Sequence, residues 1–204
     1  MPSTELQNLV RKLSQKNLAK ESRAQVRNSF QKAFQKKKNE MIAEFLNHPV
    51  SLEIKGGVSA KNISGTLGGI TNLFSFIGFD STDNPIDSVV QVLQTTTFEQ
   101  TSYRANKINY KVNLPSKDQI FDATPLPYIP GRSWAKGIET GISGLGFYLK
   151  KRSNVSRSGF GIQSKYQTRK GVKFRNIKYI SSLLKKYEIE FKNLQIWNHN
   201  INTI

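Results

Sequence analysis

The chain reads as an α+β protein: a long N-terminal helix packed beside a mostly antiparallel sheet, with a basic C-terminal helix and arm. Three observations lead there. Residues 3–46 carry apolar side chains at three- and four-residue steps: Leu6, Leu9, Val10 and Leu13, then Val26, Phe30, Ala33, Phe34, Met41, Phe45 and Leu46. That spacing puts one stripe on one face of a helix. Residues 107–114 alternate, with Ile108, Tyr110, Val112 and Leu114 on one side, the two-residue period of a strand. Pro115, Pro125, Pro127 and Pro130 crowd 115–132, where an extended arm or ordered loop is expected in place of regular structure. The chain divides into a basic helical segment at 1–48, an α+β core at 49–150 that includes the proline-rich arm, and a basic hairpin, helix and tail at 151–204.

In chain order, the helical stripe fades between Leu18 and Val26. That leaves either one helix with a polar middle or two helices broken near Lys20–Ser22. Pro49 ends the pattern, because the residue before a proline is pushed out of helical space. Val50, Leu52 and Ile54 alternate, so 50–55 is expected to be a strand, turned by Gly56-Gly57. Residues 58–69 are small and polar and read as a loop. Residues 72–79, NLFSFIGF, read as the clearest strand, apolar on both faces and so covered on both sides by a helix or a neighbouring subunit. Asn84, Pro85 and Asp87 open a helix that buries Ile86, Val89, Val90 and Leu93. Ser133 caps a short helix carrying Trp134 and Ile138, stopped by Gly141 and Gly144. Leu145–Lys150 and Gly159–Tyr166 pattern as a hairpin around a basic tip at 151–157. Asn176 is expected to cap a last helix with Ile177, Ile180, Leu183, Leu184 and Tyr187 inward. The apolar end with Trp197, Ile201 and Ile204 is expected to dock on something.

Composition narrows the function. The 204 residues suit one domain with arms, and 37% hydrophobic with 10% aromatic content builds a core, which excludes full disorder. With no cysteine, disulfides, zinc ribbons, iron–sulfur sites and thiol catalysis are excluded. No run approaches the roughly 18 apolar residues of a bilayer span, and the first residues lack the apolar region of a secretory signal, so no membrane partner is expected.

The net charge of +17 is concentrated. Residues 11–38 hold ten basic groups against Glu21, and 150–192 hold thirteen against Glu188 and Glu190, while 39–149 are near neutral. Two basic ends on a neutral body point to a polyanionic partner, nucleic acid or an acidic protein surface, with a solvated face as the bland alternative. The candidate contacts are Arg11, Lys12, Arg23, Arg27, Lys36, Lys37 and Lys38 at one end, and Arg157, Arg169, Lys170, Lys173 and Arg175 at the other. Most basic residues of the first segment fall off its apolar stripe. The second end interleaves aromatics such as Phe160, Tyr166 and Phe174, which suits backbone contact without base reading.

Reactive groups are scarce, and no enzyme activity, cofactor or metal is expected. His48 and His199 are assigned capping or surface roles, and no histidine pair has metal-ligand spacing. Asp80, Asp83 and Asp87 lack the glycine and terminal glutamate of a calcium loop and read as a turn before a helix cap. Ser64-Gly65-Thr66-Leu67-Gly68-Gly69 has the freedom to cradle a phosphate, yet no Gly-Lys-Ser/Thr follows it, so backbone flexibility or close packing is favoured.

One block is more specific than composition. It runs through Phe45-Leu46-Asn47-His48-Pro49-Val50, Glu53-Ile54-Lys55-Gly56-Gly57, Ser64-Gly65-Thr66-Leu67-Gly68-Gly69 and Asn72-Leu73-Phe74-Ser75-Phe76-Ile77-Gly78-Phe79. Pro130-Gly131-Arg132-Ser133-Trp134-Ala135-Lys136-Gly137-Ile138-Glu139 belongs to the same set. The block resembles virion proteins of tailed bacteriophages, in the neck, head–tail connector and tail-completion group. The chain departs from the smaller connectors in its length and its basic C-terminal third. The resemblance implies a structural protein of the virion neck or tail region, assembled in the host cytoplasm and forming a ring at the portal–tail junction. Its partners would be portal, connector or tail subunits and further copies of itself, with non-specific contact to genomic DNA. Candidate interface residues are Phe74, Phe76, Phe79, Trp134 and Trp197. The alternative is a small basic protein that binds nucleic acid without sequence preference.

Overall fold

The structure, a computed structural model, describes residues 4–69, 71–104, 107–127, 129–141, 148–150, 162–164 and 174–194. Side-chain surroundings are described for 20–69, 71–102, 108–127, 131–141 and 174–194.

The N-terminal stripe forms one unbroken helix, α1 (Thr4–Asn47), so the two-helix alternative falls. Phe30, Phe34, Met41 and Phe45 make its buried line. The helix stops where His48 turns extended (φ −64°, ψ 139°) ahead of Pro49.

The expected strand at 50–55 is a helix, α2 (Pro49–Lys55). Pro49 supplies helical φ at the first position, and the His48 ring nitrogen Nδ1 accepts the Val50 N–H at 3.2 Å. Val50, Ser51, Glu53 and Ile54 are buried at helical spacing, whereas Leu52, one of the three alternating residues, is 43% exposed. Three alternating residues were too few to fix the period.

The segment that read as the clearest strand is also a helix, α3 (Leu73–Ile77). Its ends decide it. Asn72 Oδ1 accepts the Ser75 N–H at 2.9 Å, and Gly78 closes the helix in the left-handed region at φ 87°. All five helical residues are buried, so the apolar run carried no period to separate helix from strand.

After α4 (Pro85–Gln94), β1 (Thr97–Arg104) and β2 (Lys107–Asn113) form an antiparallel hairpin with a bulge between Gln100 and Ser102. The hairpin lies along α1: Tyr110 stacks on Phe30 at 4.1 Å, and Phe98 meets Phe30 at 5.0 Å and Phe34 at 4.9 Å. The sheet beside the long helix is therefore present, as one of three two-stranded antiparallel ribbons among the described residues.

The proline-rich stretch contains regular structure, contrary to expectation. Ser116 and Gln119 form a capping box for α5 (Lys117–Asp122), and β3 (Pro125–Leu126) pairs with β4 (Ile129–Ser133). Pro115 precedes the capping residue, while Pro125 and Pro130 sit in two short strands with no further partner, where a missing N–H is tolerated.

Ser133 caps α6 (Trp134–Thr140), accepting the Lys136 N–H at 3.0 Å, and Gly141 ends it. Then β5 (Tyr148–Lys150) pairs with β6 (Ile162–Ser164); the expected tip at 151–157 and Gly144 lie outside the described residues. The last helix, α7 (Ile180–Lys192), starts later than Asn176 suggested. Residues 174–179 instead form an irregular segment joined to the core, with the Arg175 N–H on Thr66 O at 2.9 Å and the Ile177 N–H on Ile138 O at 3.1 Å. Ile180, Leu183, Tyr187 and Phe191 face inward, and Phe191 reaches Phe34 at 5.6 Å. So α1 is flanked by the β1–β2 hairpin and by α7.

Candidate functional site

The densest set of polar contacts surrounds loop 57–72. Glu53 is fully buried on α2. Its carboxylate accepts from Asn62 Nδ2 at 2.8 and 3.1 Å, from the Ser64 N–H at 2.9 Å and from the Leu73 N–H at 2.6 Å. Asn62 Oδ1 in turn accepts the N–H groups of Leu67 at 3.0 Å and Gly69 at 3.2 Å. Asn72 donates to Val58 O and Ala60 O, both at 3.0 Å, while capping α3. A buried carboxylate is tolerated when its lone pairs are filled, and here amides fill them. The amides of Ser64, Leu67 and Gly69 point inward to Glu53 and Asn62, so they are not presented as a phosphate cradle.

The aromatic residues expected at a subunit interface lie in the chain's own core. Trp134 is 1% exposed, and Phe74 and Phe79 are each 3% exposed. Phe79 meets Phe74 at 5.4 Å and the edge of Trp134 at 6.0 Å, and Phe76 stacks on Phe174 at 5.5 Å. The two-faced strand expected at 72–79 left its cover open between a helix and a neighbouring subunit; these residues find their neighbours within the chain. Trp197 lies outside the described residues.

The candidate cations separate into two groups. Lys37 pairs with Glu40 at 2.6 Å and with Glu190 of α7 at 3.0 Å, which raises its pKa. Lys38 donates to Gln94 O at 2.6 Å and Thr96 O at 2.9 Å, closing the end of α4, and burial lowers its pKa. These two serve the fold. Arg23, Arg27 and Lys36 are exposed on α1, and Arg175 is exposed after the Thr66 contact. The side chains of Arg11 and Lys12, and all of Arg157, Arg169, Lys170 and Lys173, lie outside the described residues.

His48, Tyr179, Asp80, Asp83 and Asp87 are also placed by the fold. His48 caps the following helix as an acceptor, instead of serving as a cation at the end of α1. Its ring lies 4.7 Å from that of Tyr179. Burial lowers the His48 pKa, opposed by the Glu44 charge. The Ser51 hydroxyl donates to Phe45 O, so it receives the Tyr179 hydroxyl at 2.6 Å. Burial drives the Tyr179 pKa up. Asp83 accepts the Asp80 N–H at 2.7 Å in a turn, and Asp87 lies in the first turn of α4. Among the described residues no group of three histidine, aspartate or glutamate side chains could hold a metal ion. No described helix is long and apolar enough to cross a membrane. A cleft of about 310 Å³ has Leu46, Ile54, Phe74 and Ile86 among its walls and Lys55, Asp83 and Asp87 at its rim.

Sequence reasoning missed the polar joints: Glu53, Asn62, Ser51 and Tyr179. One signal was available for Glu53, a charged residue inside the apolar run Val50–Ile54. No protein-family model, curated protein or solved structure matches the chain.

Proposed function

We propose that the chain is a structural subunit of a tailed-phage virion, a ring-forming head–tail connector of the neck or tail-completion group at the portal–tail junction. On this reading it is assembled in the host cytoplasm and acts without catalysis or cofactor. Portal, connector or tail subunits and further copies of the chain are its partners.

The observation that carries the reading is how the resembling residues are used. Two stretches far apart in sequence pack together, Phe79 of the first against Trp134 of the second. Within the first, His48, Glu53 and Asn72 hold α2, the glycine loop and α3 in one bonded unit. These residues act as joints of a scaffold and not as reactive groups. From that scaffold α1 reaches outward. Among the residues of α1 with described side chains, from 20 on, buried positions begin at Phe30, and between 20 and 29 only Ser22 and Val26 are half-covered. A helical arm on a rigid body suits a protein that meets neighbours in a ring.

Quantitative mass spectrometry of purified particles, scaled to the portal protein, tests this. About six or twelve copies per particle is the expected result for a symmetric ring. Absence of the chain from particles would sink the proposal.

A further inference from the structure

We propose that the outward end of α1 carries a contact surface for the phosphate backbone of duplex nucleic acid, built on Lys20, Arg23 and Arg27. The buried line of the helix runs through Phe45, Met41, Phe34 and Phe30. Continued toward the N-terminus in steps of three and four, the same line meets Arg27, Arg23 and Lys20, all exposed. Helix positions 16 and 12, both lysine, extend it. The line that is apolar against the body becomes cationic beyond Phe30, with the half-covered Val26 and Ser22 along one side of it.

This placement differs from that of an ordinary solvated helix face, whose charges lie opposite the apolar stripe. Lys20 and Arg27 also differ from the cations nearer the body. There, Lys37 has Glu40 and Glu190, and Lys186 has Glu44 and Glu190. Between residues 20 and 38 the sole acid is Glu21.

The chemistry favours a nucleic acid over an acidic protein. Protein interfaces are anchored by buried apolar and aromatic residues at their centre and are depleted in lysine. Here the exposed flanking residues are Ala24 and Gln31. Duplex is favoured over single strand because base stacking needs an open aromatic face. Tyr110, the described ring that feels the charge of Arg27, is already stacked on Phe30. From Lys20 to Arg27 the line spans about 10 Å at 1.5 Å per residue, about three phosphate steps along one strand. The inference goes beyond the connector reading and does not depend on it.

The test is fluorescence anisotropy of the full-length chain with a labelled random-sequence duplex of about 20 base pairs, between about 50 and 200 mM salt. The parent chain should show a steep linear fall of log affinity with log salt. The Lys20→Gln/Arg23→Gln/Arg27→Gln variant should lower that slope by about 2.7, at 0.9 per phosphate contact. The Lys32→Gln/Lys36→Gln variant, on the other side of the helix, should leave it within about 0.5 of the parent. Arg23 also makes a contact within the chain, so Lys20→Gln/Arg27→Gln is the second variant, with a slope lowered by about 1.8. Salt-independent or absent binding by the parent overturns the proposal. So do equal slopes in the two variant pairs, or equally tight capture of poly-glutamate through the same three residues. Particle copy number is read separately, so either proposal can fail alone.

Discussion

Glu139 of α6 closes the amino terminus of α7: one carboxylate oxygen receives the Ser181 N–H at 2.6 Å, and the other receives the Ser181 hydroxyl. The residue at the capping position, Tyr179, has helical backbone angles and offers no side-chain cap. The cap therefore comes from another helix, and a negative charge sits at the positive end of the dipole. Glu139→Ala should cost about 1–2 kcal/mol in urea unfolding, with faster amide exchange at Ser181. Unchanged exchange there would show that the cap is redundant.

Glu53→Gln should destabilise the chain more than its near-isosteric shape suggests. An amide NH2 would replace an oxygen that accepts from backbone or Asn62, setting donor against donor. The expected loss is about 1–3 kcal/mol for a buried donor left unsatisfied. Amide exchange at Ser64 and Leu73, which donate to Glu53, reports whether the loop has opened. Full protection at both sites in the variant would refute the role assigned to Glu53.

His48 gives stability a pH dependence. Its Nδ1 accepts the Val50 N–H, so that nitrogen is unprotonated, and burial holds the folded pKa below the unfolded value despite the Glu44 charge. The stabilisation is complete above the unfolded pKa of about 6.5 and is lost as pH falls from there through the folded pKa. His48→Asn keeps a capping acceptor but does not titrate. The difference in unfolding free energy between the two proteins should shift in favour of His48→Asn as pH falls from 7.5 to 5. A constant difference would exclude His48 as the source.

Gly78→Ala should cost about 1–2 kcal/mol, because the residue closes α3 in the left-handed region at φ 87°. Thermal unfolding reads this directly. A loss below about 0.3 kcal/mol would mean that the loop relaxes without strain.

Lys38→Met should weaken the fold without touching a polyanion surface. Its ammonium bridges Gln94 O and Thr96 O, so its removal leaves both carbonyls short of a donor. About 1 kcal/mol of stability should go, with duplex binding and its salt slope unchanged. A drop in slope would return Lys38 to the outward-facing cations.

The long helix was legible because α1 repeats its three- and four-residue steps over many turns, with Phe30, Phe34, Met41 and Phe45 fixing the phase. The helix starts at Pro85 and Ser133 were legible for local reasons, Pro85 setting the first helical φ and Ser133 capping within its own turn, although Asn84 makes no side-chain cap. The hairpin strand carrying Tyr110 showed its period, but its partner Thr97–Arg104 has only Phe98 turned toward α1 among its described residues and showed none. The stretch Leu73–Ile77 was misread because tertiary burial on every side erases periodicity, and the deciding signals were Asn72 and Gly78 at its ends. The buried polar joints were hidden for a different reason. Glu53 meets Leu73, and Ser51 meets Tyr179, across sequence distances that no local pattern spans. The exposed cations were legible as a charge excess, but their phase on α1 was not. Most were read as facing away from the stripe, whereas Arg23 and Arg27 continue it.

The contact between α1 and α7 also bears on how the chain matures. Glu44 and Lys186 meet at 2.6 Å although 142 residues separate them. Closing so long a loop costs entropy that local pairs do not incur. The bonds around Glu53 span at most twenty residues and form from neighbouring sequence alone. Synthesis from the amino end therefore completes the Glu53 joint early, lets Phe98 reach Phe34 next, and leaves the side of α1 that faces α7 to be covered last, when Phe191 arrives. Until then the nascent protein lacks the apolar cover that Phe191 supplies to Phe34.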